Sequence, residues 1–510
     1  MKLNLKLLFL FLLASLFTLL FYDRSWGLNL LIFQTLLIAT GVYVGNFNKQ
    51  FRHHWILLSY TGTMVIFAFL HHSSIAFLMS WISLALLGAS LVSHKVYSIH
   101  FLFGSGLMSL ASGPLKAVRA SAHALSGAGI ESRQWRKVTI YLVPLVLIFA
   151  FTAIYSGANP RFGGYTASFF QALENFFDWT WSMLNWMVIG LFLLGTLISA
   201  AFIYAYLPHS FQKTDENDQG NLIRKRIKGW FNFKMLALKS EYKAGVFLLA
   251  VLNVLLLLML VTEIQEVWLG FEWKGGFLKG FVHEGIYLLI FSILISMAIV
   301  LYFFRGNQNF YRNAHWLRRL TALWIGLNAV LVISVAIRNF WYIEYFALAY
   351  KRIGVFFFLA ATLVGLYSIY RKVYQRKNAL YLYRVNSFSV YTLLCIMALV
   401  NWDVVIARYN FKQFDQTMVE LDYMAALSDK ALPYLLQSPE EIQQEQIKQQ
   451  KMLNMSSSSF NSRYTNADTY ADLLKTKKGI FMERWNQKHW LEWNPAEARA
   501  YDLLQRVDDK

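Results

Sequence analysis

The stretch FVHEGIYLLIFSILISMAIVLYFF, residues 281–304, decides what kind of protein this is. Beyond Glu284 it carries no charged side chain as far as Phe304. An α-helix rises 1.5 Å per residue, so about 20 such residues cross the roughly 30 Å hydrocarbon core of a bilayer. Comparable apolar runs lie at 5–22, 27–46, 54–70, 74–93, 96–112, 138–156, 181–206, 244–262, 320–340, 352–370 and 386–402. A barrel would show short alternating strands instead, and the chain has none of that pattern. The expected fold class is therefore all-α: a polytopic α-helical membrane protein with about 11–12 transmembrane helices and a soluble, mostly helical C-terminal tail.

Composition points the same way, since 57% of the 510 residues are hydrophobic and only 15% are charged, which is too apolar for a soluble chain of this length. The net charge of +19 raises the question of nucleic acid. The lysines and arginines sit mainly in loops between apolar runs, where membrane topology and anionic lipid account for them, and no recognition motif accompanies them. No nucleic-acid partner is expected. The single cysteine, Cys395, lies inside an apolar run and excludes an internal disulfide and any cysteine-based metal cluster. The N-terminal stretch MKLNLKLLFLFLLASLFTLLFYDRSW, residues 1–26, has the lysines of a secretory signal but no small-residue cleavage site, so it reads as an uncleaved first helix.

Cations accumulate in loops 113–137, 207–242, 305–319 and 371–385, which makes these the expected cytoplasmic loops; 157–180, 263–280 and 338–352 carry few. Three regions follow: residues 1–137, four or five membrane helices and a basic cytoplasmic loop; 138–410, a main membrane domain of about seven helices; and 411–510, a tail expected outside the cytoplasm. Within 221–243, NLIRKRIKGWFNFKMLALKSEYK alternates cations with apolar and aromatic residues, as a helix lying on the anionic inner leaflet does, or as an ordinary basic connector does. Parity is awkward at the start of the chain. Lys2 and Lys6 place the N-terminus inside, yet five full crossings would put the basic loop 113–137 outside, so the Gly- and Ser-rich run 96–112 is suspected of not spanning.

The run ending near Val400 is followed by NWDVVIARYNF, residues 401–411, an abrupt concentration of polar groups. On a helix Asn401 and Arg408 share one face, and Asp403 and Asn410 the opposite one, so no purely lipid-facing side remains. Glu263, Glu266, His283, Glu284 and the segment RNFWYIEYFALAYKR, residues 338–352, are expected on the same side. Two readings stand. His283, Glu284, Arg338, Glu344, Arg352, Asp403, Arg408 and Asn410 could line an outward-facing polar pocket, or they could form interfacial ion pairs that pin helix ends.

The histidine pairs His53–His54 and His71–His72 flank one span and lie about 25 Å apart, too far to share an ion. His54, His94 and His100 could approach one another on one side as a metal or proton-relay group. His283 with Glu284 is not an HExxH motif, and no phosphate-binding loop, dinucleotide fingerprint, nucleophile elbow or kinase set is present. No catalytic residue, metal site or cofactor is assigned. In the tail, LDYMAALSDKALPYLLQS, residues 421–438, has apolar residues at helical spacing, and MERWNQKHWLEWNPAEARAYDLL, residues 482–504, alternates tryptophan with charge, which suits docking to a membrane surface or to an envelope protein partner.

Several of these elements occur in order from about Gln134 to Gln437: NPRF after LVPLVLIFAF, residues 281–304, the RN…YKRIG segment at 338–354, NWDVVIARYN and LDYMAALSDKALPYLL. Together they resemble a bacterial multi-pass inner-membrane family catalogued only as a domain of unknown function. Its most specific element is the Asn401–Asn410 stretch, with Trp402 standing where many relatives carry proline. The resemblance implies the bacterial inner membrane, in a version most like those of Bacteroidetes-type bacteria, and it implies no activity, ligand or catalytic residue. The readings of function are transport or sensing through the outward pocket; a membrane enzyme acting on lipid-linked or polyprenyl substrates, with Asp403 or Glu284 as base; and an envelope scaffold acting through its tail.

Overall fold

The computed structural model describes residues 2–126, 185–224, 235–269, 277–415, 417–452 and 465–508, together with 158–176 and scattered positions between 144 and 156. Most of the expected span 138–156 and residues 225–234 of the basic segment 221–243 lie outside the described residues. Every regular element described is helical, and the chain divides into two compact units.

The first unit comprises residues 1–217 together with His489–Asn494. Its helices are α1 (Lys2–Phe21), α2 (Leu28–Val44), α3 (Arg52–His71), α4 (Ser74–Ser90), α5 (Ile99–Ser126), α6 (Pro160–Phe176), α7 (Trp186–Ile203) and α8 (His209–Glu216). Local chemistry sets their ends. Ser73 accepts a hydrogen bond from the backbone N–H of Ala76 at the start of α4, and Asn185 accepts one from that of Val188 at the start of α7. Inside, small polar side chains tie helices together where lipid offers no hydrogen bonds: Gln34 on α2 meets Ser80 on α4 at 3.1 Å, and Thr61 on α3 donates to the Ser83 carbonyl on α4 at 3.1 Å.

Helix α5 behaves differently from its neighbours. Ser98, just before it, donates to Asp215; Ser105 donates to the Tyr206 carbonyl; and Lys116 donates to the Ala205 carbonyl at 3.2 Å. Contacts at Ser98, Ser105 and Lys116 therefore tie this stretch to the segment that follows α7, and α5 is not among the described helices long and apolar enough to cross a membrane.

The second unit comprises residues 218–488 and 495–510. It contains α9 (Met235–Glu263), which continues as a π-helical turn over Ile264–Leu269, then α10 (Phe277–Phe303), α11 (His315–Phe346), α12 (Tyr350–Gln375), α13 (Ala379–Ala398) and α14 (Trp402–Lys412). The tail adds α15 (Leu421–Ala425), α16 (Leu432–Leu435), α17 (Pro439–Met452), α18 (Ala467–Asn486) and α19 (Pro495–Asp508). One core, with Leu249, Ile293, Val300, Leu331, Val335 and Leu366 at its centre, joins α9 to α12. A second core joins Ala347, Ile353, Ile406 and Ala407 to the tail residues Met424, Leu432, Tyr470, Phe481 and Leu504, so the tail is packed onto helix ends of its own unit.

Six described helices are long and apolar enough to span: Arg52–His71, Trp186–Ile203, Leu238–Leu269, Gly285–Phe303, His315–Phe346 and Tyr350–Gln375. The pair α13 and α14, bent by 63°, passes the same test jointly, and α1, α2 and α4 are shorter apolar helices. Burial within the protein accounts for only 28% of the most apolar window of Leu238–Leu269, and Leu255, Leu258, Leu288 and Phe291 are more than half exposed. Such a surface is stable in hydrocarbon and not in water. The chain is a polytopic helical membrane protein.

Gly27 marks a close backbone approach inside the first unit. A Cβ there would fall 2.2 Å from the carbonyl oxygen of Glu492, while the Leu28 N–H donates to the Trp493 carbonyl at 3.1 Å and Ser25 donates to the Glu492 carboxylate at 2.6 Å. Gly27→Val is expected to destabilise this contact by about 1–3 kcal/mol, as overpacking does. The measurement is limited proteolysis: cleavage near Trp490–Trp493 should accelerate in the variant, and unchanged protection would contradict the assignment.

Candidate functional site

The polar residues of 401–411 lie on two faces of α14. Asp403 and Asn410 are buried, whereas Arg408 is exposed and reaches the tail, stacking its guanidinium 4.2 Å from the centre of the Tyr434 ring and donating to the Tyr434 hydroxyl. At the bend itself the Trp402 indole N–H donates to the Met397 carbonyl at 2.8 Å, satisfying a carbonyl that the broken helix leaves open.

Asp403 is a node. Its carboxylate accepts from the Tyr350 hydroxyl at 2.8 Å and from the Ser428 hydroxyl, and Lys430 stands 3.7 Å away. Three tail and α12 groups therefore share one buried anion, which compensates the cost of removing it from water. Burial pushes the Lys430 ammonium below its usual range, outweighing Asp403, Glu497 and Asp429, which pull it up.

Asn410 acts on the turn between α11 and α12. It accepts from the Leu348 N–H at 2.7 Å and donates to the Leu348 carbonyl at 3.0 Å. Arg352 closes the same turn from the other side, donating to the Phe346 and Ala347 carbonyls that end α11, with its guanidinium 4.3 Å from the centre of the Tyr342 ring. Ala347 has a positive φ of 70°, so the turn is strained and needs this support.

Arg338 has a different partner. Its guanidinium grips Glu263 in a two-pronged pair, Nε to Oε2 at 2.9 Å with Nη2 on Oε1, and Ser334 donates to the same carboxylate at 2.6 Å. Both charged side chains are almost fully buried, with α9 tied to α11 at the point where the π-helical turn begins. The sequence shows Glu263 as a neighbour, but its pairing depends on which helices adjoin. Glu344 contributes its backbone carbonyl, which accepts from the Thr417 hydroxyl at 3.0 Å. His283 and Glu284 lie on α10, and their side chains lie outside the described residues.

The six of these residues whose side chains are described do not form one cluster. They form separate ties, and beside two of those ties lies a cavity of 370 Å³. Arg352 and Asn410 line it, with Lys351, Tyr350, Tyr342 and Tyr287 from the membrane helices and Glu420 and Tyr423 from the tail. Tyr350 and Tyr423 meet there, the Tyr350 N–H donating to the Tyr423 hydroxyl at 3.1 Å. Burial pushes the Tyr423 hydroxyl above its usual range. Lys351 is exposed, and its charge is available to a ligand. Sequence reasoning passed over Lys351, Glu420 and Tyr423 as site residues; the tail's helical periodicity near 421–438 was the available signal.

Elsewhere, His53 and His54 have ring centres 4.4 Å apart, His94 stacks on Phe51, and His54 Nδ1 accepts the Asn48 N–H at 3.0 Å. Among the described residues no group of three or more His, Cys, Asp or Glu side chains could hold a metal ion.

An all-helical, multi-pass membrane domain carrying a helical tail over a pocket at its helix ends is the class of protein these features define. The chain belongs to the DUF4153 family, a domain of unknown function, whose model matches residues 8–438. No curated protein and no solved structure matches it.

Two outcomes follow from the buried charges. Arg338→Met or Glu263→Leu alone strands a buried charge and is expected to cost about 3–5 kcal/mol, whereas the two together should restore most of the loss. A double-mutant cycle on thermal unfolding in detergent reads this, and additive losses would contradict the pairing. For Lys430, a folded-state value below the unfolded one means that the unfolded chain holds more protons between the two. Stability should therefore rise with pH through that alkaline window, and Lys430→Met should flatten the rise. Parallel pH profiles for the two proteins would sink the argument.

Proposed function

We propose that this is a ligand-sensing protein of the bacterial cytoplasmic membrane, whose pocket beside Lys351 and Arg352 opens outside the cytoplasm and whose C-terminal helices report its occupancy. The carrying observation is the shared lining of the pocket. Membrane helices and tail contribute to the same 370 Å³ cavity, so a bound molecule touches both. The distribution of Lys and Arg among the loops supports the outward orientation.

The lining suggests the ligand. Tyrosines, Ile286 and Val355 offer an apolar wall, and Lys351 offers an exposed cation, a combination that suits a small amphiphile with one anionic group. Sensing is favoured over catalysis at Asp403, one of the two candidate bases, because its carboxylate is already engaged by Tyr350, Ser428 and Lys430.

Labelling with a maleimide that cannot cross membranes tests the orientation. The native Cys395 is buried, so it contributes little background. Lys351→Cys is expected to react in intact spheroplasts, and reaction only after permeabilisation would overturn the proposal. Anionic amphiphiles that slow this labelling should also protect the tail from protease. Slowed labelling without protection would leave a pocket but remove the sensing role.

A further inference from the structure

The first unit contains an apolar slot of 660 Å³, separate from the pocket just described. One face of α7 lines it from end to end. Met187, Leu191, Leu194, Ile198 and Ala201 recur at intervals of three and four, which makes them a single stripe, and Phe202 follows. At 1.5 Å per residue the stripe is about 22 Å long. The acyl chains of one leaflet fill about half of a roughly 30 Å hydrocarbon core, or about 15 Å, so one chain fits along the slot.

The two ends of the slot differ in chemistry. Asn185, which begins α7, donates to the Tyr22 hydroxyl at 2.7 Å, so the Met187 end lies beside the turn that follows α1. Arg24, in that turn, is the one charged side chain among the described residues that line the slot. Its guanidinium donates to the Leu19 carbonyl at 2.9 Å, a neutral acceptor that orients the cation and leaves its charge in place. Trp26 and Trp81 line the slot as well, with ring centres 6.4 Å apart, and neither indole N–H donates to a described residue. At the other end stands Phe202, its ring seated against two glycines: a Cβ at Gly41 would fall 2.3 Å from it and one at Gly88 2.8 Å. A guanidinium and two indole donors therefore mark one end of a slot that is hydrocarbon-walled from there to Phe202.

We infer that the slot binds an anionic glycerophospholipid, with one acyl chain along the α7 stripe and its phosphate at Arg24, Trp26 and Trp81. Indole rings suit this position, since they belong where hydrocarbon meets headgroups. A phosphodiester offers more acceptor oxygens than a carboxylate does to three separate donors, which favours a phospholipid over a free fatty acid. No carboxylate among the described lining residues would receive the ammonium of a zwitterionic headgroup, so the selected lipid carries net negative charge.

The test uses the full-length protein in a neutral detergent, with binding read by native mass spectrometry and by thermal shift. The probes are phosphatidylglycerol, phosphatidylcholine and palmitate. Phosphatidylglycerol should bind and stabilise in preference to phosphatidylcholine. Arg24→Gln should lower phosphatidylglycerol affinity about tenfold or more, as loss of a charge-assisted contact predicts, and Arg24→Lys should keep most of the preference. Leu194→Trp, which fills the slot, should weaken both lipids alike. Phosphatidylglycerol affinity unchanged in Arg24→Gln would move the headgroup to other cations, and unchanged affinity in Leu194→Trp would take the chain out of the slot; either result overturns the inference. Equal binding of the two lipids by the wild type overturns it too, even if the glutamine variant fails to fold. Displacement of phosphatidylglycerol by an equal concentration of palmitate, with the same dependence on Arg24, would reassign the slot to a fatty acid and overturn the phospholipid reading.

Discussion

A buried carboxylate must find donors or lose its charge, and in the second unit that requirement fixes where several helices meet. Asp403 lies just past the 63° bend between α13 and α14, with 8% of its surface exposed. Its partners come from the first turn of α12 and from Ser428 and Lys430 of the tail, which are remote in sequence. An apolar core alone would tolerate sliding of α14 along its neighbours; a carboxylate with three designated partners does not. The tail's second core, built on Ile406 and Ala407 from the same helix, then has a fixed floor. Pocket geometry depends on the same node, because Tyr350 both holds Asp403 and lines the cavity.

Much of the architecture was legible in the sequence because hydrocarbon thickness is a length criterion and the chain meets it repeatedly. The runs expected at 54–70, 181–206, 244–262, 283–304, 320–340 and 352–370 correspond to described spanning helices. The concentration of polarity at 401–411 was equally plain, as was the consequence that no purely lipid-facing side remains on a helix there. Partner identity was not legible. Glu263 finds Arg338 because α9 adjoins α11, and nothing local in either segment states that adjacency. Arg352 was visible as a charge, yet it serves as a cap on the carbonyls of α11, a role set by the strained turn at Ala347. Lys351, one residue earlier, is the cation left exposed at the pocket. Helical phase near a turn cannot be read closely enough from sequence to separate the two.

The two units use charge in contrasting ways. In the second, cations that stand near buried acids are consumed in ties, as with Arg338 and Lys430. In the first, a buried acid, Asp215, is held by the Ser98 hydroxyl and the backbone N–H groups of Tyr97 and Ser98.

The turn at Trp490–Glu492 has a temporal meaning. It completes the first unit by seating against Gly27, yet a ribosome reaches it only after the entire second unit up to Lys488 has been made. At a synthesis rate of about 5–20 residues per second that interval is on the order of tens of seconds. Throughout it the loop between α1 and α2 waits without its closing segment, its backbone donor at Leu28 open to water or to a chaperone. A ribosome that stalls a few dozen codons early would therefore release a chain with the described apolar helices synthesised and its first unit still unclosed.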